Sequence, residues 1–208
     1  MATDSTRAAL LDAAERLFLA QGYEQVSVRA VNAAAGMNPA AVHYHFGTKE
    51  DLVAALLQQR LGPLWAEPLA AVERRARGGR PPGVTELTEV LVRPLDELTR
   101  RPHGRMLVHL LARLVLRGRR LPFDDRWFRF EPWRDLLSAA RPDLSRREIA
   151  HRWRMAFDLL LQLYGEPQAA TAELGRVPRP PAASVVAFIS AGLGARSPDD
   201  DSRGADRS

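Results

Sequence analysis

The chain has 208 residues, 46% of them apolar, which is enough to build a real core in one large domain or two small ones. It contains no cysteine, so disulfides, thiolate metal sites and cysteine nucleophiles are excluded. No apolar run approaches the roughly 18 residues of a membrane span, and the N-terminus has no signal-peptide core. We therefore expect a cytoplasmic protein.

The net charge of +5 is weak evidence for a nucleic-acid partner, because the positive charge is not where it would be needed. Residues 1–57 hold four basic and six acidic side chains, a net charge of −2. The excess lies downstream, in arginine clusters such as 74–75 and 117–120. Any case for DNA binding has to come from the placement of individual groups.

The first predicted helix covers residues 5–21, where apolar side chains recur at three- and four-residue spacing and Gly22 ends the pattern. A longer helix begins at Lys49. We expect it to be interrupted at Gly62-Pro63 and again at Pro68, since proline removes a backbone donor and clashes with the preceding turn. Helical patterns follow at 84–100, 103–117, about 125–140, 145–165 and 181–193. No stretch alternates with period two, so the predicted class is all-α.

Three helix starts lie close together in residues 26–52. Ser27 is the predicted N-cap of the first, Asn38 (followed by proline) of the second, and Thr48 of the third, where a carboxylate three residues on completes a capping box. Gly36 supplies a left-handed residue between the first two helices. Two short helices joined by such a turn form a helix-turn-helix, whose second helix enters the DNA major groove.

The second short helix, predicted over 39–46, has one apolar side and one polar side. Val42 and Phe46 are four residues apart and are expected to pack inward. Helix starts bind phosphates, and exposed polar side chains contact phosphates or bases. The candidate DNA-contact residues are Ser27, Arg29, Asn38, Ala40, His43, Tyr44, His45, Thr48 and Lys49. The two histidines are two residues apart and point in different directions on a helix, so we expect no metal site.

Residues 7–57 resemble the N-terminal domain of the tetracycline-repressor (TetR) family of bacterial transcription regulators. The resemblance rests on Ala13-Ala14, Leu17-Phe18, Gly22-Tyr23, Ser27-Val28, Ala34-Ala35-Gly36, Tyr44-His45-Phe46 and Lys49-Glu50-Asp51-Leu52. It implies that the candidate residues above, apart from Thr48, lie where the family touches DNA. After the turn, Asn38-Pro39-Ala40 replaces the family's common Ser-x-Gly.

The resemblance also implies a domain organisation. Residues 4–60 form the DNA-binding domain, with the helix-turn-helix at 27–46. Residues 61–194 form a larger helical domain for ligand binding and dimerisation. Residues 195–208 are polar and are predicted to be a disordered tail.

Two further sets of residues are candidates in the larger domain. The family's last two helices pair with those of a second subunit, and the residues predicted for that interface are Trp153, Phe157, Leu160, Leu161, Tyr164, Val185, Phe188 and Ile189. The aromatic stretch 123–133 either lines an effector pocket, with an arginine to meet an acidic group, or forms a satellite core. The residues predicted for the pocket are Leu107, Leu110, Leu111, Leu114, Trp127, Phe130 and Trp133.

The patterns, together with what the resemblance implies, favour a homodimeric, ligand-responsive repressor that binds a palindromic operator and is released by a small, largely apolar effector. The alternative is a helical small-molecule or lipid-binding protein whose helix-turn-helix is only a scaffold. An enzyme is a remote third, because we find no nucleophile–base pair, phosphate loop or metal cluster. No cofactor, catalytic residue or membrane partner is predicted.

Overall fold

The computed structural model describes residues 2–118, 123–165 and 179–196. These residues form helices and connecting turns with no strand among them, which confirms the all-α prediction. The α-helices are α1 (Ala2–Gln21), α2 (Val28–Ala34), α3 (Ala41–Phe46), α4 (Lys49–Arg77), α5 (Val84–Leu98), α6 (Pro102–Leu116), α7 (Phe130–Ala140), α8 (Arg146–Gly165) and α9 (Ala182–Gly194). A short 3₁₀ helix (Arg126–Phe128) precedes α7.

The first three helices pack on the start of α4 around a small apolar core. Each contributes a side chain that is at most 1% exposed: Leu10 and Phe18 from α1, Val31 from α2, and Val42 from α3. Leu52 on α4 is fully buried beneath them. These residues share one apolar side of each helix, as the three- and four-residue spacing predicts. The result is the expected three-helix N-terminal domain.

Helix α4 is continuous over 29 residues, so the predicted interruption at Gly62-Pro63 and Pro68 is wrong. Both prolines lie inside the helix and each removes one backbone hydrogen bond. The opposing effect is burial: Trp65 and Leu69 alternate with the prolines and lie in the core. Each such side chain stabilises the fold by about 1.5–3 kcal/mol. Tertiary packing on this helix outweighs the local cost of the two prolines.

The helix predicted at about 125–140 is divided in the structure. Asp125 caps the 3₁₀ helix by accepting a hydrogen bond from the Trp127 amide at 2.8 Å. Arg129 is extended, with φ −98° and ψ 156°, and α7 begins at the next residue. This start places Pro132 in the first turn of α7, where a missing N–H costs little. A single helix from 125 would have placed that proline in its interior.

The helices of the larger domain continue the same hydrophobic core. Helix α6 packs along α8, α5 packs along α9, and the second half of α4 closes one side. The predicted domain boundary at residue 60 falls inside α4, and α9 ends at Gly194. Of the predicted disordered tail, 197–208 lies outside the described residues. None of the helices that the structure describes is long and apolar enough to span a bilayer.

A charged cluster connects the N-terminal domain to the larger one. Glu15 on α1 accepts hydrogen bonds from Arg60 on α4, at 2.7 and 2.9 Å, and lies 2.7 Å from His103 Nε2 on α6. Burial would raise the pKa of Glu15, but the hydrogen bonds from Arg60 and His103 outweigh it and hold this pKa below 4.5. Its carboxylate thus joins three helices.

We expect Glu15→Gln to lower the free energy of unfolding by about 1–3 kcal/mol at pH 7, the value of a charge-assisted hydrogen bond. Because the pKa of Glu15 is lowered by folding, its stabilisation is complete above pH 4.5 and is lost as the pH falls through the lowered pKa. Urea titrations at pH 7 and at about pH 3 should therefore show the gap between wild type and variant closing in acid. Asp12→Asn, which removes an exposed partner of Arg60, is the control and should change stability little. An equal gap at both pH values would contradict the assignment.

Candidate nucleic-acid interface and internal cavity

The local structure of the helix-turn-helix follows the capping residues of the sequence. Ser27 Oγ accepts a hydrogen bond from the Ala30 amide at 3.1 Å and caps α2, as predicted. Gly36 has φ +67°, the left-handed conformation predicted for the turn. Asn38 Oδ1 accepts from the Ala40 amide at 2.6 Å, but the prediction that Asn38 is the N-cap is wrong, because regular helix begins only at Ala41 and the N-cap is Ala40, without a side-chain bond. Residues 39–40 form a turn that leads into α3.

Asn32 orients α3, a role that was not predicted from the sequence. It lies on α2 with 1% of its surface exposed. Its Nδ2 donates to the Pro39 carbonyl at 2.6 Å, and its Oδ1 accepts from the Val42 amide at 3.0 Å. One side chain thereby binds the turn before α3 and the first turn of α3 itself. An asparagine in a helical apolar pattern is the only sequence signal for this role, because the residue is unfavourable inside a helix unless its amide has a partner.

We expect Asn32→Ala to destabilise the protein by about 1–3 kcal/mol, since the buried Val42 amide and the partly buried Pro39 carbonyl lose their partner. Thermal unfolding followed by circular dichroism would measure the loss. Asn38→Ala is the matched control, because its exposed side chain makes one local bond whose loss should cost about 1 kcal/mol. If both variants unfolded at the same temperature, the orienting role of Asn32 would be refuted.

The outer surface of α3 is polar and exposed. Asn38, Ala40, His43 and Tyr44 are exposed, Tyr44 by 82%, whereas His45 is half-buried. His43 Nδ1 lies 2.7 Å from the Gly47 carbonyl, which can only accept, so Nδ1 carries the proton. The neutral ring then presents Nε2 as an acceptor and donates there only when protonated. Residues 26–49 contain no aspartate or glutamate, but Glu50 and Asp51 follow directly, and the Asp51 carboxylate is bonded to Thr48.

The start of α4 carries the predicted capping box, but Lys49 is placed differently from expectation. Thr48 Oγ1 accepts from the Asp51 amide at 3.0 Å, and Asp51 Oδ2 accepts from the Thr48 amide at 3.2 Å. Lys49 Nζ donates to the Tyr23 carbonyl at 2.6 Å and lies 3.9 Å from the centre of the Tyr23 ring. Burial lowers the pKa of Lys49, and the nearby Glu50 offsets only part of this. The ammonium thus holds the α1–α2 turn.

A cavity of about 470 Å³ lies in the larger domain. Of the predicted pocket residues, Leu111, Trp127, Phe130 and Trp133 line it, and all four tryptophans of the chain do so. The other predicted pocket residues are buried but do not line the cavity; they are Leu107, Leu110 and Leu114. Helix α6 packs against several helices, so different faces of α6 are covered by different neighbours.

The aromatic stretch 123–133 is both a wall of this cavity and part of the core. Trp133 Nε1 donates to the Trp127 carbonyl at 2.9 Å, which fixes the 3₁₀ helix against α7. The Trp133 ring stacks on Trp153 at 4.6 Å between centroids, and Trp153 stacks on Phe157 at 5.9 Å. The two predictions for this stretch, a pocket wall and a core, therefore both apply to the same residues.

Most residues predicted for a subunit interface pack against other helices of the same subunit. Five are buried in the core of the described chain: Leu160, Leu161, Tyr164, Val185 and Ile189. Trp153 and Phe157 line the cavity, as does Leu161. Only Phe188 is strongly exposed, by 71%. On α8 the exposed apolar residue is instead Met155, at 64%. Periodicity identified an apolar face, and the neighbouring helices of the same chain cover most of it.

The chain is similar in sequence to known bacterial transcription regulators. A family model described as bacterial regulatory proteins, tetR family, matches residues 10–56. The HTH-type transcriptional repressor Rv3405c of Mycobacterium tuberculosis is 32% identical over 159 residues, covering 74% of this chain and 71% of that protein. The HTH-type transcriptional regulator BetI of Rhizobium meliloti is 39% identical over 70 residues, about a third of either chain.

A solved structure shares the fold over nearly the whole length. The multidrug binding protein EbrR, complexed with imidazole, superposes with a TM-score of 0.58. The match covers 93% of this chain and 97% of that one at 20% sequence identity. At that identity the likeness concerns the fold alone.

Proposed function

This chain belongs to the tetR family of bacterial transcription regulators, and we propose from that premise that it is a repressor that binds operator DNA as a homodimer. The observation that carries the proposal is the exposed surface of α3, which Asn32 holds at a fixed angle and whose own residues, 41–46, include no acidic side chain. A cytoplasmic location follows from a DNA partner. No catalytic step or cofactor is part of the proposal.

The proposed DNA surface consists of the predicted residues, which contact different parts of the DNA. The exposed side of α3 and its turn enters the major groove, while the N-termini of α2 and α4 bind phosphates through their first amides. Lys49 belongs to this surface through its backbone amide, since its ammonium is bonded to the Tyr23 carbonyl. The residues proposed for DNA contact are Ser27, Arg29, Asn38, Ala40, His43, Tyr44, His45, Thr48 and Lys49.

We propose that two subunits pair through the exposed sides of α8 and α9. These helices pack against each other within the subunit and leave Met155, Ala187, Phe188 and Ala191 exposed. Two exposed helices on each subunit can form a four-helix contact in which a two-fold axis relates the subunits. A palindromic operator requires the same two-fold symmetry. Rv3405c is named a repressor, which supports the same sign of regulation here.

We expect Phe188→Glu to convert the dimer to a monomer, because each subunit would place an unpaired carboxylate in the centre of the contact. Size-exclusion chromatography with light scattering would measure the mass. Leu19→Glu, at an exposed apolar position on α1, is the control and should stay dimeric. A dimeric Phe188→Glu protein would place the interface elsewhere.

The route from effector to DNA is proposed to run through α6 as well as α4. Both helices line the cavity, α4 through Trp65 and α6 through Leu111 and Val115. Helix α6 also contacts the N-terminal domain at two points, through His103 to Glu15 and through an ion pair of Arg113 with Glu24. An effector that displaces α6 would therefore move α1, and with it the angle of α3.

Gel-shift titrations with DNA fragments tiled around the gene would test the proposal. Binding of one fragment at nanomolar protein, with protection of a palindrome, is the expected result. The cavity also suits a small-molecule-binding protein with a scaffold-only helix-turn-helix. That second function would be favoured if the protein bound ligands in the cavity but shifted none of the fragments beyond non-specific levels.

A further inference from the structure

We infer that the cavity takes a flat aromatic compound carrying an oxygen acceptor, an aromatic carboxylate being the simplest case, with Trp65 as its hydrogen-bond donor. This rests on the proposed function in that it names the chemical class of the effector. Three features of the cavity carry it: an unpartnered donor, the charge of the lining, and the arrangement of the rings.

The donor is the indole N–H of Trp65. Trp65 lines the cavity with 7% of its surface exposed, and within the described part of the chain its Nε1 has no hydrogen-bond partner. A buried donor without an acceptor costs about 1–3 kcal/mol. Trp133, on the opposite helix, shows the usual arrangement, since its Nε1 donates to the Trp127 carbonyl. A ligand that brings an oxygen to Trp65 would remove this cost.

The formal charges of the lining favour an anion over a cation. It includes two guanidinium groups, Arg129 and Arg154, and none of the described lining residues is acidic. Arg154 is bonded to Asp158 at 2.5 Å. Arg129 donates through Nε to the Phe123 carbonyl and has no acidic partner among the described residues. A carboxylate near Arg129 would gain an ion pair, whereas an ammonium would have only the faces of aromatic rings to attract it and no counter-charge among the described lining residues.

The rings set the shape of the ligand. Trp133, Trp153 and Phe157 form a stack along one wall, with angles of 29° and 9° between successive planes. A further flat ring extends such a stack with the offset that aromatic pairs prefer. The volume of about 470 Å³ is in the range of ligand pockets and leaves room for a fused two-ring compound.

Isothermal titration calorimetry with three probes of one shape would test the inference. The probes are 2-naphthoate, 2-naphthamide and 2-naphthylmethylammonium, which carry an anionic acceptor, a neutral acceptor and a cation on the same rings. We expect the wild type to bind naphthoate most tightly, naphthamide next, and the ammonium at least tenfold more weakly than naphthoate. Equal binding of the ammonium and naphthoate would overturn the inference, and so would the failure of all three probes to bind.

Two substitutions separate the donor from the charge. Trp65→Phe keeps a ring and removes the N–H, so Kd should rise about fivefold to tenfold for both naphthoate and naphthamide, the value of one hydrogen bond. Trp153→Phe is the matched control, because it also shortens a lining ring and should not weaken the two acceptor probes selectively relative to the ammonium. Because Arg129 is exposed, the Arg129→Gln variant should fold normally, and it should weaken the binding of naphthoate alone. If Trp65→Phe folded and changed both Kd values less than twofold, the assignment of the donor would be wrong.

The same proteins in a gel shift distinguish this inference from the regulatory function. Release of DNA by the ammonium probe, with no preference for naphthoate, would overturn the ligand class while leaving the repressor intact. Selective naphthoate binding that left the DNA complex unchanged would support the ligand class and count against the effector role of the cavity.

Discussion

Tyr44→Ala is expected to weaken operator binding by at least about a hundredfold while leaving the fold unchanged. The side chain is 82% exposed and its ring lies edge-on to the neighbouring His45 ring, so its removal takes nothing from the core. A hydroxyl bonded to a charged phosphate contributes about 1.5–3 kcal/mol, and a dimer makes the contact twice. The two losses together correspond to about two to four decades in Kd.

The measurement is a gel-shift or anisotropy titration at fixed salt, with thermal unfolding as a check of the fold. Because tyrosine is neutral, the slope of log Kd against log salt should not change, whereas loss of a cationic contact would reduce it. Tyr44→Phe separates the hydroxyl from the ring, and Leu19→Ala, another exposed apolar residue, should bind as the wild type does. Unchanged affinity in Tyr44→Ala would exclude this side of α3 as the DNA surface.

Gly104→Ala is expected to destabilise the protein by about 3 kcal/mol or more. Gly104 lies in the first turn of α6, where the chain folds back on the end of α5. A Cβ at this position would overlap the carbonyl group of Leu98, the last residue of α5. That carbonyl is backbone and accepts the Arg101 amide at 3.3 Å, so it cannot move aside without opening the corner.

Thermal unfolding should show the effect as a drop of roughly 6–12 °C in Tm for a chain of this length. Gly83→Ala is the matched control, because that glycine is the N-cap of α5, has φ −78°, and has no atom within 4 Å of a new Cβ. It should change Tm by no more than about 2 °C. Similar Tm values for the two variants would refute the close approach at Gly104. Because His103 lies next to this corner, we also expect Gly104→Ala to loosen the contact with Glu15.

Features set by neighbours in the chain were predictable. The caps at Ser27 and Thr48 and the left-handed turn at Gly36 involve groups within a few residues of one another, so the sequence carries all the atoms concerned. The family resemblance rests on the same stretch, and the family membership it implied is confirmed.

Features set by distant parts of the chain were not predictable. The breaks expected at Pro63 and Pro68 are absent, because residues far along the chain bury Trp65 and Leu69. The role of Asn32 was not predicted because its partners, the Pro39 carbonyl and the Val42 amide, lie across the turn. Lys49 points inward because the Tyr23 carbonyl is within its reach.

The sequence by itself therefore determined the helical class, the helix-turn-helix with its local caps, and the family. Only the tertiary structure decided which apolar faces are core, which line a cavity and which remain exposed. The physical reason is that a three- and four-residue period reports that one side of a helix avoids water, but not what covers it. On α8, Leu160 is covered within the subunit, Trp153 borders the cavity, and Met155 is left exposed.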